Sequence, residues 1–171
     1  MGFFSAGDRR RCANNMNMHL PRFPEENLLI DFFDEDRSFK LHPETLDAWK
    51  KMKEAAKSDK INLHIISAFR SVARQSEIIE EKKRKGISDA MIFSVSAPPG
   101  YSEHHTGRAI DLGTQNYTDF DEEFENSEAF CWLTAHARQF GFRLSYPKEN
   151  QYGIAYEPWH WFFEGNAQPS G

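Results

Sequence analysis

Three segments carry polar groups out of keeping with their surroundings. Ser102-Glu103-His104-His105-Thr106-Gly107-Arg108-Ala109-Ile110-Asp111 offers a histidine in a loop and an aspartate on an otherwise apolar run. Glu157-Pro158-Trp159-His160 lies in aromatic sequence near the C-terminus, and Arg70 follows a hydrophobic stretch at 61–66. Most of these groups have an ordinary reading when taken singly. A single histidine is most often packed or at the surface, as read here for His19, His42, His64 and His136, and Glu157 with His160 would make a surface pair. An ionised carboxylate between Ile110 and Leu112 is different, because such a group is not buried without a partner or a metal. Together, His104, Asp111 and His160 supply two imidazoles and a carboxylate, donors that zinc accepts. Three protein ligands leave a fourth position for water, as catalytic sites require, and no cysteine cluster suggests a structural zinc. Glu157 then remains as a carboxylate suited to take a proton from that water. On a regular strand, residues three apart face opposite sides. Pro158 is therefore expected to bend the chain where the strand begins, so that Glu157 leans back over the metal.

These groups need a scaffold. Residues 28–33 read as a strand, Asp34-Glu35-Asp36 as a turn, and Phe39 and Leu41 alternate with polar residues as in a second strand. His42-Pro43 opens a helix with Leu46, Trp49, Lys53 and Ala56 on one face, the lysine stem lying along its edge. Residues 61–66 read as a buried strand ending at Ser67-Ala68-Phe69-Arg70. Ser71 caps a helix that runs to Lys85 and is stopped by Gly86; its charge run at 80–85 reads as a solvated face. Ala97-Pro98-Pro99-Gly100 is a loop. Residues 107–113 read as a strand with Ala109 and Asp111 on one side, Ile110 and Leu112 on the other. Residues 128–140 form a helix burying Phe130, Leu133, Ala137 and Phe140, closed by Gly141. Strands at 142–146 and 152–163 flank a turn at 147–150. No regular βαβ alternation is present, so the expected fold is α+β: one domain with a central, mainly antiparallel sheet and helices packed against it. Residues 1–27 read as an irregular leader and 28–171 as the domain.

A chain of 171 residues fits one domain at roughly 100–200 residues each. Hydrophobic residues at 39% and charged residues at 27% exclude a disordered tail or a low-complexity linker. Lys plus Arg number 21 against 26 Asp plus Glu, a net −5 with no basic block, which argues against a nucleic-acid partner. No stretch approaches the roughly 20 apolar residues of a membrane helix. Cys12 and Cys131 are too few for a disulfide framework; one bridge or two thiols both fit. The N-terminus is basic at Arg9-Arg10-Arg11 but lacks the apolar core, about 7–15 residues long, of a signal peptide. The expected location is the cell envelope if a signal was removed from this sequence, and the cytoplasm otherwise. A monomer is expected.

Ser102-x-His104-x-x-Gly107-x-Ala109-x-Asp111, followed by Glu157-x-Trp159-His160, resembles the paired signature of the VanY-type D-alanyl-D-alanine carboxypeptidases. These are zinc peptidases that share a fold with the hedgehog signalling domain. Ser67-Ala68-Phe69-Arg70-Ser71 resembles that family's Ser-Gly-Tyr-Arg-Ser segment, and the resemblance covers about residues 28–164. It implies Zn2+ bound by His104, Asp111 and His160, with Glu157 as general base and Arg70 polarising the scissile carbonyl and stabilising its oxyanion. It also implies that Ser102 and Gln75 contact the substrate's terminal carboxylate or backbone, and that Trp159 packs beside the metal. The implied reaction is hydrolysis of the bond before a C-terminal D-alanine of a peptidoglycan stem peptide, as a D,D- or L,D-carboxypeptidase. A phage-type endopeptidase shares these motifs, as does a non-catalytic zinc-stabilised binding or signalling module. A module that needs only the metal has no use for Glu157 and Arg70. Three departures from the family pattern, Ala68-Phe69 for Gly-Tyr, His105 where glutamine is frequent and Phe162 where arginine is frequent, bear on specificity. The segments 86–100 and 113–126 are the expected pocket walls.

Overall fold

The computed structural model describes residues 20–165. Most of the expected leader, with Cys12 and His19, lies outside the described residues. The described part, 20–27, has no helix or strand and is tied to the domain. Phe23 donates its backbone N–H to Gly100 at 2.8 Å and Glu26 to His105 at 2.8 Å, while Leu20 packs with Tyr146 and Ile154.

Strands β1 (Ile30–Asp34) and β2 (Arg37–Leu41) form an antiparallel hairpin. Helix α1 (Pro43–Ser58) starts with its proline at the first turn, where a missing N–H costs nothing, and the His42 ring accepts from the Glu44 N–H. Trp49, Met52 and Ala56 are buried on its inner face. Asp34, expected in the turn, is instead the buried end of β1. One of its oxygens accepts from Lys53 Nζ at 2.6 Å and the other from the Ile65 N–H at 2.8 Å, so a single carboxylate joins the hairpin, α1 and the chain at Ile65.

Strand β3 (His64–Ser67) leads into helix α2 (Val72–Arg84), whose N-cap is Ser71: its Oγ accepts from the Arg74 N–H at 3.0 Å. A short helix α3 (Asp89–Ser94), not expected from the sequence, follows. Strand β4 (Ala109–Gly113), helix α4 (Glu128–His136), strand β5 (Phe142–Leu144) and strand β6 (His160–Phe163) complete the order. Four strands make one antiparallel sheet in the order β3-β4-β6-β5, so the α+β expectation holds. The helix expected to Phe140 tightens at its end into a 3-10 turn, Ala137–Phe140, closed by Gly141 in the left-handed region. The strand expected from 152 begins only at His160. Upstream of it the backbone bonds elsewhere: Ala155 N–H to Ser94 at 2.7 Å and Glu157 N–H to Tyr146 at 3.1 Å.

The core lies between one face of this sheet and helices α1 and α4. Ile110 and Leu112 of β4 enter it beside Trp49, Met52, Leu133, Trp161 and Phe163. Period-two alternation then turns Ala109 and Asp111 to the opposite face.

Gly107 joins the histidine segment to β4. It adopts φ +63, and a Cβ there would stand 2.6 Å from Leu29 Cδ2 and 2.9 Å from the His42 backbone nitrogen. Gly107→Ala should therefore lower stability by roughly 1–3 kcal/mol from the left-handed backbone alone, with the close contact adding to it. Thermal unfolding of the variant beside the parent measures this; an unchanged midpoint would contradict it.

Candidate active site

Asp111 and His160 face each other because β4 pairs with β6 in a register that sets these two residues directly opposite. His160 Nδ1 lies 3.0 Å from Asp111 Oδ1. His104 arrives from a 3-10 turn, Glu103–Thr106, and its Nε2 lies 3.1 Å from Asp111 Oδ2. The two rings meet edge to face, 4.9 Å between centroids. All three side chains are buried, and one donor atom from each lies within 4.8 Å of the others. The His104 ring is oriented from behind by Nδ1–H donating to the Ala68 carbonyl at 2.7 Å.

Glu157 sits in a turn, its carbonyl accepting from the His160 N–H at 3.1 Å, rather than on a strand. This turn brings its Oε2 to 3.7 Å from His160 Nδ1 despite the three-residue spacing. Burial pushes the Glu157 carboxyl up to about 7; the charges of Asp111 and Glu103 act the same way, and His160 and Arg70 offset part of it. Asp111 behaves oppositely. Burial raises it, but His104 and His160 outweigh that and hold it well below the usual carboxylate range. Burial also holds the His104 ring below its ordinary value. For His160, burial is overcome by the bonds to Asp111 and Glu103, which raise it to about 10.

Arg70 is fixed beside this cluster. Its guanidinium donates to Gln75 Oε1 at 2.9 Å and Ser67 Oγ at 3.3 Å, and its backbone N–H bonds the His104 carbonyl at 3.1 Å. Gln75 is 1% exposed, and its amide nitrogen donates to the Ala97 carbonyl at 2.6 Å. Both ends of that amide thus hold the arginine and a cleft wall. Ser102 is buried, its Oγ accepting from the His104 N–H at 3.3 Å. His105 stands apart from the donor set. Its Nε2 accepts from the Gly100 N–H at 3.1 Å, so Nδ1–H donates to the Arg70 carbonyl at 2.7 Å.

These groups open onto a cleft of about 450 Å³. Residues 95–97 wall one side and Phe120 with Glu122 another, within the two segments expected as walls. Trp159 lines the cleft and meets Phe120 edge on at 5.8 Å. Two polar residues escaped the sequence argument. Lys82, read as part of a solvated charge run, is half-buried in the cleft, and Glu103 is 3% exposed beneath His160. The seven-residue step from Gln75, two helical turns, was the available signal for Lys82; Glu103 gave none beyond its place beside His104.

The fold is that of the hedgehog-like peptidases, and its sheet carries a buried His–Asp–His set flanked by a carboxylate and a guanidinium. The chain belongs to the VanY family, described as D-alanyl-D-alanine carboxypeptidase, whose profile matches residues 38–166. YodJ of Bacillus subtilis (strain 168) is 34% identical over 142 residues, covering 80% of this chain and 51% of YodJ. The bifunctional D-Ala-D-Ala dipeptidase and D-Ala-D-Ala carboxypeptidase VanXYC of Enterococcus gallinarum is 32% identical over 148 residues, covering 83% of this chain and 75% of that one. The chain thus spans about half the length of YodJ and three quarters of VanXYC. Among solved structures, the LD-carboxypeptidase LdcB superposes with a TM-score of 0.74 at 29% identity, over 85% of this chain and 72% of that chain. VanYB in complex with D-Ala-D-Ala gives 0.67 at 26%, over 88% and 84%. A VanY D,D-pentapeptidase mutant in complex with Zn(II) gives 0.64 at 25%, over 83% of both chains.

Proposed function

We propose that this chain is a zinc-dependent carboxypeptidase that removes the C-terminal D-alanine from peptidoglycan stem peptides. The observation that carries the proposal is Glu157, a carboxylate made basic by burial, turned toward the His–Asp–His set and sharing the cleft with Arg70. The donors fit zinc: two imidazoles and a carboxylate, each imidazole bonded on the nitrogen that faces away from the cluster. Zinc held by His104, Asp111 and His160 would supply a Lewis acid and make a nearby water acidic. Glu157 takes the proton of the attacking water and returns it to the departing amine. Arg70, held by Gln75 and Ser67, stabilises the charge that develops on the carbonyl oxygen. Gln75 acts through that arginine, and Ser102 contacts the substrate backbone. A metal-stabilised module would need neither Glu157 nor Arg70, which favours the enzyme. Stem peptides put the work in the cell envelope, or in the cytoplasm for recycled precursors.

Lys82 favours removal of a terminal residue over internal cleavage. Its Nζ donates to Ser96 Oγ at 2.6 Å, and among the described residues it has no carboxylate within ion-pair distance. Burial and the neighbouring charge of Arg70 push its ammonium below the ordinary lysine range. Arg70 and Lys82 place two cations in one cleft, and Lys82 lies beside Ser96 with no carboxylate on it, which makes its end of the cleft a site for an anion. Lys82 with Ser96 therefore takes the carboxylate of the leaving D-alanine, a group that an internal peptide bond lacks.

Incubation with tri-, tetra- and pentapeptide stems, followed by mass analysis, should reveal loss of one terminal residue. Release of a larger fragment would overturn the carboxypeptidase reading. Glu157→Gln should retain zinc while turnover falls by about 10²–10⁴; intact turnover would reject Glu157 as base. Because this carboxyl must be ionised to accept a proton, and a cation beside it lowers its value from about 7, kcat/KM should climb with pH through a midpoint below about 7. A midpoint above that range would point to another base. Lys82→Met should lower the preference for a free C-terminal carboxylate over its amide by roughly tenfold or more, read as KM for the acid; an unchanged ratio would remove Lys82 from recognition.

A further inference from the structure

The His160 ring meets a carboxylate at each of its nitrogens, and the two carboxylates differ in where they lie. On the Nδ1 side lie Asp111 Oδ1 at 3.0 Å and Glu157 Oε2 at 3.7 Å, with His104 across from it. On the Nε2 side lies Glu103 Oε2 at 2.8 Å, away from that convergence. Glu103 is itself held in place. Its Oε1 accepts from Arg143 at 2.9 Å and its Oε2 from Ser145 Oγ at 2.5 Å. Arg143 is braced in turn by Glu164 Oε1 at 2.7 Å and Ser145 Oγ at 2.9 Å.

The arrangement has a local cause. Arg143 of β5 pairs directly with Phe162 of β6 and lies over its ring, 4.9 Å from guanidinium carbon to centroid. Phe162 is the residue noted above as a departure from the family pattern. At this point of the sheet the guanidinium comes from the neighbouring strand and reaches Glu103.

We propose that Glu103 is a positioning residue for the metal site: it holds the proton of His160 on Nε2 and so presents the Nδ1 lone pair to the metal. His104 is set the other way round. The Ala68 carbonyl fixes its Nδ1–H, which leaves Nε2 toward the cluster. The two histidines thus offer different nitrogens, each decided by the acceptor behind it. A carboxylate behind His160 also makes that ring a stronger donor than a carbonyl would. The inference rests on the metal site of the proposed function.

The test uses the whole chain, labelled with nitrogen-15 and loaded with cadmium-113. Coupling from cadmium should appear at Nε2 of His104 and at Nδ1 of His160, while His160 Nε2 keeps its proton. Coupling at His160 Nε2 would overturn the inference and leave the metal site intact. A protein that takes up neither cadmium nor zinc would overturn the metal site as well, so the two failures are distinct. In parallel, zinc affinity measured by chelator competition should fall about 10–100-fold in Glu103→Ala. It should fall by less in Glu103→Gln, whose amide oxygen still accepts from Nε2–H. An affinity for Glu103→Ala within twofold of the parent would contradict the role. Should that variant fail to fold, the glutamine variant and the cadmium spectrum decide the matter.

Discussion

The register of β4 against β6 is the constraint on which the site depends. It sets Asp111 opposite His160 on one face and sends Ile110 and Leu112 into the core on the other. The two consequences cannot be separated. A one-residue slip of either strand would bury the acid among aliphatic side chains and expose the core residues, so hydrophobic packing itself enforces the juxtaposition of the polar pair. The energy that positions the donors therefore comes from Trp49, Met52, Leu133 and Trp161, none of which lies among the donors.

Burial of so many ionisable groups on one face would be costly unless each had a partner. Asp111 has both imidazoles, Glu103 has His160, Ser145 and Arg143, and His105 has two backbone groups. Glu157 is the exception. It stands 3.7 Å from His160 Nδ1 and has no closer cation among the described residues, and burial raises it accordingly. The least satisfied carboxylate in the cluster is thus the one whose proposed role requires it to take up and give back a proton. Complete pairing of the others fixes their geometry; incomplete pairing of this one leaves it reactive.

Much of the arrangement was legible from residue order. Alternation around Asp111 marked β4 and its two faces, Pro43 and Ser71 marked two helix starts, and Pro158 marked the bend that turns Glu157 back onto His160. These signals are local, set by backbone preference or period. What stayed hidden depends on partners distant in sequence. Asp34 looked like a turn residue until β3 and Lys53 came within reach. Lys82 shares the composition of a solvated helix face, and only the chain at 95–97 makes it part of a cleft. Glu103 lies between Ser102 and His104, where nothing in its neighbours announces Arg143, forty residues on. The short helix α3 lacked the length for a periodic pattern to stand out.

The fold also divides its labour by element. Donor groups, the bracing carboxylate and its arginine lie on paired strands and on a 3-10 turn tied to them, where backbone bonds limit movement. The cleft's other features sit on helix α2 and on irregular segments: Lys82 on the helix, Ser96 and Phe120 on the walls. Loops tolerate substitution far better than paired strands do. Changes at the walls can alter which peptide end is accepted while the register of β4 and β6 keeps the His–Asp–His set unchanged. Arg70 and Gln75 join the two regions, since Gln75 bonds the guanidinium with one end of its amide and the Ala97 carbonyl with the other. A shift in that wall is therefore transmitted to the arginine, and in the role proposed for Arg70 this would couple recognition of the substrate to the chemistry performed on it.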